Sequence, residues 1–549
     1  MKKIEDITGS RLYNYMMDFI NIGWRRPGTK EAHKTANYIL KYLNEFGFEE
    51  TRLEPFEMLL YTPKKWELIV KCDSLPSKEA KINCFPSWHT KSSEIGGAEA
   101  ELVYVGWGTP QEFKKQDVRD KIVLIDSIRM MSFYPTLDFH RSYETARKQG
   151  AIGFIAVHDS PPNTIHAEYA TRHQTLKDSN LESGSIPALH IGLESGNYLK
   201  ALLQSEEDLK VNLLLEAEIK PSMTDNLIGV LPGKKEDEII LVGTHIDSWF
   251  DGAIDNAGGN AGFIELADYY SQIDQNKREK TMVFAGFAGH EVGSIGVIEF
   301  ANKHKDWFNK ISTFCMLDGF GSKGYILESP SRGLVETRLD EGKALFTTNN
   351  QILYDIIYEA IIKHQLMQNG PLMHVNAVTG PFSDLGPLVA NNVPSIMIIG
   401  KGIFYHTIED TADKVLPEQL ERTTKAHVEI LNKLHKTPAN IIKEVDRKGI
   451  VLPKKPQPDK RGSVYFNFNI TPNPVVKGTT TLIYTTTYIF TDRIILDIKW
   501  NIEKLELHTG ICPYKFRRIG KHKIKLTLLD NYGNEYSLEK YAYVIKKPD

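Results

Sequence analysis

Between residues 222 and 440 the chain alternates short, almost unbroken apolar runs with longer amphipathic ones, and this alternation is the tightest constraint on its fold. The runs 239-IILVGTH-245, 281-TMVFAGF-287, 311-ISTFCMLD-318 and 394-PSIMIIG-400 read as strands. Strands so continuously apolar need cover on both faces. The intervening 257-AGGNAGFIELADYYSQI-273 and 417-PEQLERTTKAHVEILNKL-434 read as helices. The pattern predicts an α/β domain built on a doubly wound, mostly parallel sheet.

With 549 residues the chain is too long for one ordinary core. Residues 1–57 read as two helices and a strand that belong to the α/β domain; 29-TKEAHKTANYILKYLNEFGFEE-50 sets Ala36, Ile39, Leu40 and Leu43 at helical spacing before Gly47. Residues 58–218 switch to short β-like runs (66–72, 101–106, 121–126, 153–157, 187–192) around a helix at 142–151, and read as an inserted β/α domain. The α/β domain resumes over 219–445. A linker rich in Pro and Lys follows at 446–462, then a C-terminal β-sandwich over 463–549.

The charge balance is near neutral, at −3 from 67 basic and 70 acidic residues, so neither nucleic acid nor an anionic membrane is expected as the main partner. Residues 450–549 hold 17 Lys and Arg against 9 Asp and Glu, read as a solvated basic face. No run of about 18 apolar residues occurs, so no membrane span is expected. The N-terminus lacks an uninterrupted apolar stretch, and the four cysteines show no CxxC spacing. Reduced thiols and a cytoplasmic location are expected; Cys72 and Cys84 remain a possible pair in an exported protein. Homo-oligomerisation is left open.

Polar residues with metal-ligand chemistry recur where the predicted strands end. His245 closes the run 239–245, and Asp247 two residues on points the same way in extended chain, placed to accept the second ring N–H of His245. Asp255 lies in the next loop, where Asn256, Gly258 and Gly259 permit a tight turn. Its two oxygens make it the candidate bridge between two cations. Glu291 follows the run 281–287, Asp318 ends 311–318, and His406 follows 394–400. In open α/β sheets ligands bind at the carboxyl ends of the strands. Imidazole and carboxylate together suit two divalent ions, zinc foremost, with manganese, cobalt or iron as alternatives. Such a pair activates water, so a metal-dependent hydrolase is expected.

The texts 244-THIDSW-249, 252-GAIDNAGG-259, 291-EVGSIG-296, 317-LD-318, 383-SD-384 and 405-YHTIEDT-411, with 25-RRPGTKEAHKTANYI-39, resemble the co-catalytic zinc exopeptidases that include leucine-type aminopeptidases, carboxypeptidase Q and glutamate carboxypeptidase. The inserted segment, through 101-ELVYVGWGTPQEF-113 and 142-SYETARKQGAIGFIAV-157, resembles a protease-associated domain. The resemblance implies His245 and Asp318 on one metal, Glu291 and His406 on the other, Asp255 bridging, and Tyr405 donating to the tetrahedral oxyanion. Trp249 is a candidate for lining a side-chain pocket. Ser383 and Asp384 are candidates for contacting substrate or supporting the ligands.

One position departs from the family pattern. Two adjacent glutamates are normal there, the first taking a proton from the attacking water and returning it to the leaving amine. This chain reads Gly289-His290-Glu291. Three consequences are open: His290 is the base, the substrate is a small non-peptide amide, or the site holds metal and the protein acts by binding. An aminopeptidase-like hydrolase acting on a peptide or small amide, with His290 as base, is the leading expectation.

Overall fold

A computed structural model describes residues 2–546 apart from 128–138, 159–162, 171–184, 206–208, 330–332, 341–342, 349, 365, 367–372, 375–382, 401, 445–464, 472, 490–494, 509–510 and 531–532. The expected linker at 446–462 lies outside the described residues.

The heart of the α/β part is a run of parallel strands in the order Ser395–Gly400, Ile311–Asp318, Lys235–His245, Lys280–Phe287. Antiparallel strands flank it: Lys343–Thr347 on one side, Lys210–Leu231 on the other. Alternate residues of each central strand enter different cores. Ile240, Val242, Met282, Phe284, Cys315 and Leu317 face one, Ile239, Leu241, Val283, Ala285, Phe314 and Met316 the other. Both parities are buried, which is why the strand text carries no polar alternation. The first core receives helices Gly9–Ile22, Lys30–Glu45, Gly259–Ser271 and Pro417–Lys436; the second receives Ile295–Lys303. The N-terminal helices therefore pack with the strands that follow the insertion.

The junction with the insertion is continuous. Glu49–Lys71 and Lys210–Leu231 form a long antiparallel ribbon that leaves the central sheet and enters the inserted one. The positions 57/58 and 218/219, read from sequence as domain limits, fall within these strands. The inserted sheet continues through Ala98–Tyr104, antiparallel to Lys210–Leu231, and then Ile122–Ser127, Gly153–His158 and Ala188–Ile191, each parallel to the strand before it.

At the C-terminus a three-stranded and a five-stranded sheet share one core, with Phe468, Ile483 and Cys512 meeting Trp500, Ile524 and Leu526. This is the C-terminal β-sandwich of the expected fold class. Cys72, Cys84, Cys315 and Cys512 are all buried and none is in a disulfide. No described helix is long and apolar enough to cross a membrane.

Candidate metal centre

Parallel pairing brings the predicted ligands together. His245 pairs with Phe287, Thr244 with Leu317, and Asp318 with Ile399, so the strands reach their carboxyl ends side by side. His245 and Asp318 are last residues of their strands. Glu291 lies in the loop after Lys280–Phe287, and His406 in the loop after Ser395–Gly400 with a left-handed φ of 59°. Asp255 sits in the turn Ala253–Gly258 that opens helix Gly259–Ser271.

Asparagine and glycine shape that turn. Asn256 Nδ2 donates to Thr244 Oγ1 at 3.1 Å and Leu317 O at 3.0 Å, while its Oδ1 accepts Gly319 N–H at 3.2 Å. It thus ties the turn to two strand ends. A Cβ at position 259 would come 2.0 Å from Asn256 Oδ1, and one at 258 would come 2.5 Å from Phe320 O. Only glycine permits that approach.

The five side chains converge in a buried cluster. His245 Nε2 lies 3.1 Å from Asp255 Oδ1 and 3.5 Å from Asp318 Oδ1. His406 Nε2 lies 3.4 Å from Asp255 Oδ2 and 3.0 Å from Glu291 Oε2. Asp255 thus turns one oxygen toward each imidazole. Both ring nitrogens of His245 and His406, and both oxygens of Asp255 and Glu291, lack a hydrogen bond of acceptable geometry. Buried polar atoms left so are costly unless another group completes them. Two cations sharing Asp255 would complete both Nε2 atoms and the carboxylate oxygens, with an N/O donor set that suits zinc, while the Nδ1 atoms face Asp247 at 3.6 Å and Glu168 at 3.3 Å.

The electrostatics agree with a cluster built for cations. Burial works against charge on His245, yet Asp247, Asp255 and Asp318 outweigh it and hold its pKa well above the usual value. The same contest, won by Glu291, Asp255 and Glu168, raises His406. Burial and the neighbouring Asp255 push Glu291 up.

The supporting residues differ in part from expectation. Asp247 is 3.6 Å from His245 Nδ1, beyond hydrogen-bond range. Its oxygens instead accept the N–H groups of His290 at 3.1 Å and Glu291 at 3.0 Å, fixing the loop that carries both. Asp410 was not anticipated; it accepts the N–H groups of Ile254 at 2.9 Å and Asp255 at 3.1 Å. Buried Arg25 donates to Gly252 O at 3.1 Å on the same turn. Both residues lie in texts quoted above for the resemblance, but nothing in their spacing marks these contacts. Glu168 of the inserted domain lies 3.3 Å from His406 Nδ1 and had no sequence signal at all.

His290 stacks on His245, ring centroids 4.1 Å apart, and its Nδ1 lies 3.0 Å from Asp384 Oδ1. Burial lowers its pKa, but Asp384 outweighs this and lifts it to about 9. Asp384 is fully buried and holds His290 through this contact. Ser383 Oγ reaches Asp318 Oδ2 at 3.5 Å. Tyr405 stacks on His406 at 3.6 Å, and burial with the surrounding carboxylates keeps its phenol neutral, hence a donor. Trp249 is packed edge-on to Trp88 at 5.0 Å. It borders a crevice with Arg26, Tyr61, Trp88, His89 and Glu291 that has room for about one water.

Residues 226–431 match the profile of peptidase family M28, and residues 98–199 that of the PA domain. The chain is 23% identical to a glutamate carboxypeptidase 2 homolog of Caenorhabditis elegans, over 50% of this chain and 46% of that protein. It is 21% identical to carboxypeptidase Q of Homo sapiens, over 73% of this chain and 79% of that one. Among solved structures, a zinc aminopeptidase from Bacillus subtilis superposes with a TM-score of 0.55 at 18% identity, covering 79% of this chain and 97% of that one. The chain thus spans about half the length of the nematode relative. Its residues 226–431 thus resemble peptidase family M28, and the residues that resemble the PA domain, 98–199, are inserted between the first helices and the central sheet.

Proposed function

We propose that the chain is a two-metal, zinc-dependent amide-bond hydrolase of the aminopeptidase-like exopeptidase kind. The observation that carries this reading is the bridge geometry: two buried imidazoles face the two oxygens of Asp255, at 3.1 and 3.4 Å, and none of these atoms has a hydrogen bond of its own. His245 and Asp318 would hold one ion and His406 and Glu291 the other, with Asp255 shared. When bound, the ions polarise the substrate carbonyl and lower the pKa of the attacking water.

The remaining chemistry belongs to the protein. His290 accepts the proton of the attacking water and returns it to the leaving amine. In the metal-free cluster the imidazole is held protonated; cations nearby oppose that charge and lower its pKa toward the range of a working base. Asp384 fixes the ring through Nδ1, leaving Nε2 for the transfer. Tyr405, kept neutral, donates to the developing oxyanion. The names of the aminopeptidase and carboxypeptidase relatives support exopeptidase chemistry without choosing the chain end that is cleaved.

A second reading, an amidohydrolase of a small non-peptide amide, is favoured by the imidazole at position 290 and by the narrow crevice beside Glu291. Zinc-loaded protein assayed on aminoacyl anilides, N-blocked peptides and small amides separates the two. Release of free amino acids from unblocked peptides supports the first; turnover only of blocked or non-peptide amides supports the second. No turnover with two ions bound leaves a binding protein. His290→Ala is expected to lower kcat by about 10²–10⁴-fold, and His290→Glu to raise peptide hydrolysis. An unchanged rate in His290→Ala would rule the residue out as base.

A further inference from the structure

A segment of the PA domain lies directly against the metal centre. Ala167 N–H donates to His406 O at 2.9 Å, and Ile408 N–H to Ile165 O at 3.2 Å. His166 and Thr407 form an antiparallel bridge. The same segment is tied back into its own domain, where Trp88 N–H donates to Glu168 O and Ala170 N–H to Trp88 O, both at 2.8 Å. Glu168 is therefore clamped from two directions.

Its side chain meets a metal-ligand candidate on the far edge of the ring. Glu168 Oε2 lies 3.3 Å from Nδ1 of His406, whereas Nε2 of that ring faces Asp255 and Glu291. Glu168 Oε1 accepts the N–H of Tyr169 at 3.0 Å, which sets the carboxylate's orientation. The His406 ring is held by stacking as well, against Tyr405 at 3.6 Å and His166 at 5.8 Å.

An imidazole binds a cation well through one nitrogen when the other carries a proton directed at an acceptor, which fixes both tautomer and ring angle. Each histidine of the centre has a carboxylate on its Nδ1 side: Asp247 at 3.6 Å for His245, from the same domain, and Glu168 for His406, from the insertion. From this juxtaposition we infer that Glu168 is a positioning residue for the metal centre, accepting the Nδ1 proton of His406 and committing Nε2 to the cation. The inference rests on the two-metal reading of the site. It makes the seating of the PA domain a condition for full metal affinity, so that the insertion acts on the chemistry itself.

The test uses the full chain, with Glu168→Ala, Glu168→Gln and wild type titrated with Zn²⁺ against a chromophoric chelator. Wild type is expected to take up two ions. In Glu168→Ala one of them weakens by about 10–100-fold, the range usual for lost ligand-supporting partners, while the other stays within a few-fold. Glu168→Gln keeps an acceptor oxygen and a near-identical shape, so it folds as wild type does and falls between the two. Unchanged melting temperature of the metal-free variants, beside weakened uptake, separates positioning from general stability.

Three results would overturn the inference. Both ions could bind Glu168→Ala with wild-type affinity. Wild type could bind a third ion that is lost in Glu168→Gln, which would make Glu168 a ligand instead. Wild type could bind no ions, which removes the two-metal reading itself and this inference with it.

Discussion

Removing the Asp247 carboxylate should loosen the loop that presents His290 and Glu291, by an amount the geometry sets. Asp247 is 1% exposed and accepts two backbone N–H groups, at 3.1 and 3.0 Å. In Asp247→Ala both donors stay buried without an acceptor unless the loop opens. A hydrogen bond to a charged group contributes about 1.5–3 kcal/mol, so the pair holds the loop by about 3–6 kcal/mol. At about 1.4 kcal/mol per factor of ten, opening becomes roughly 10²–10⁴-fold more frequent. Deuterium uptake of the metal-free protein, read by mass spectrometry on peptides covering 288–295, measures this directly. Asp247→Asn retains one acceptor oxygen and should show about half the effect on a logarithmic scale. Strand Ile311–Asp318, which Asp247 does not bond, serves as the internal reference. Wild-type uptake of 288–295 in Asp247→Ala would refute the clamp and return Asp247 to a partner of His245 alone.

Three further outcomes are expected. Removing metal with a chelator should lower the melting temperature, and saturating zinc should restore it; at a hundredfold excess over Kd the stabilisation is about 2.7 kcal/mol, and identical melting with and without zinc would contradict a buried cation pair. Zinc uptake should release protons, because His245 and His406 are held protonated in the metal-free cluster and must lose that charge to bind. Calorimetry in buffers of different ionisation enthalpy reads this, and a binding heat independent of buffer would count against it. Burial pushes His427 down to about 4, so it is neutral in the folded chain and charges on unfolding below its ordinary value. Its contribution is complete above pH 6.5 and is lost as pH falls from there toward 4, at up to about 1.4 kcal/mol per pH unit. Stability measured across that window should be flatter in His427→Gln, and an equal slope would show that His427 does not titrate there.

The central strands were legible because burial on both faces leaves a uniform apolar signature, and the residues entering the two cores alternate within it. The ribbon leading into the PA domain was not. Its strands contain Pro63 and Pro221. Pro63 falls at a register shift, where the ladder is already interrupted. Pro221 lies in a stretch where Lys210–Leu231 has only Glu49–Lys71 beside it, since its other neighbours pair at 210–213 and 227–231. A strand edge without a second neighbour tolerates a missing N–H. Sequence therefore placed domain limits where the chain runs on unbroken.

For the site, legibility followed distance along the chain. The candidate ligands announce themselves because each stands at a strand end or in the loop that follows it. Glu168, Asp384 and Asp410 act through space, each on a residue reached only by the fold; Asp384 was a candidate through the text 383-SD-384, but its partner His290 had no local pattern to give it away. Asp384 bears most on the unusual residue at 290. In the metal-free protein a glutamate there would meet buried Asp384, and two such groups favour sharing one proton over both ionising; bound cations would favour both ionised forms, so the gain expected of His290→Glu is read on the metal-loaded protein. An imidazole at the same place forms an ion pair with Asp384 instead, which accounts for its raised pKa and its fixed ring. His290 and Asp384 thus work as one unit. Proton transfer by the histidine would require the proposed cation pair to offset the charge that Asp384 stabilises, so the same carboxylate that anchors the ring would also make its basicity depend on metal occupancy.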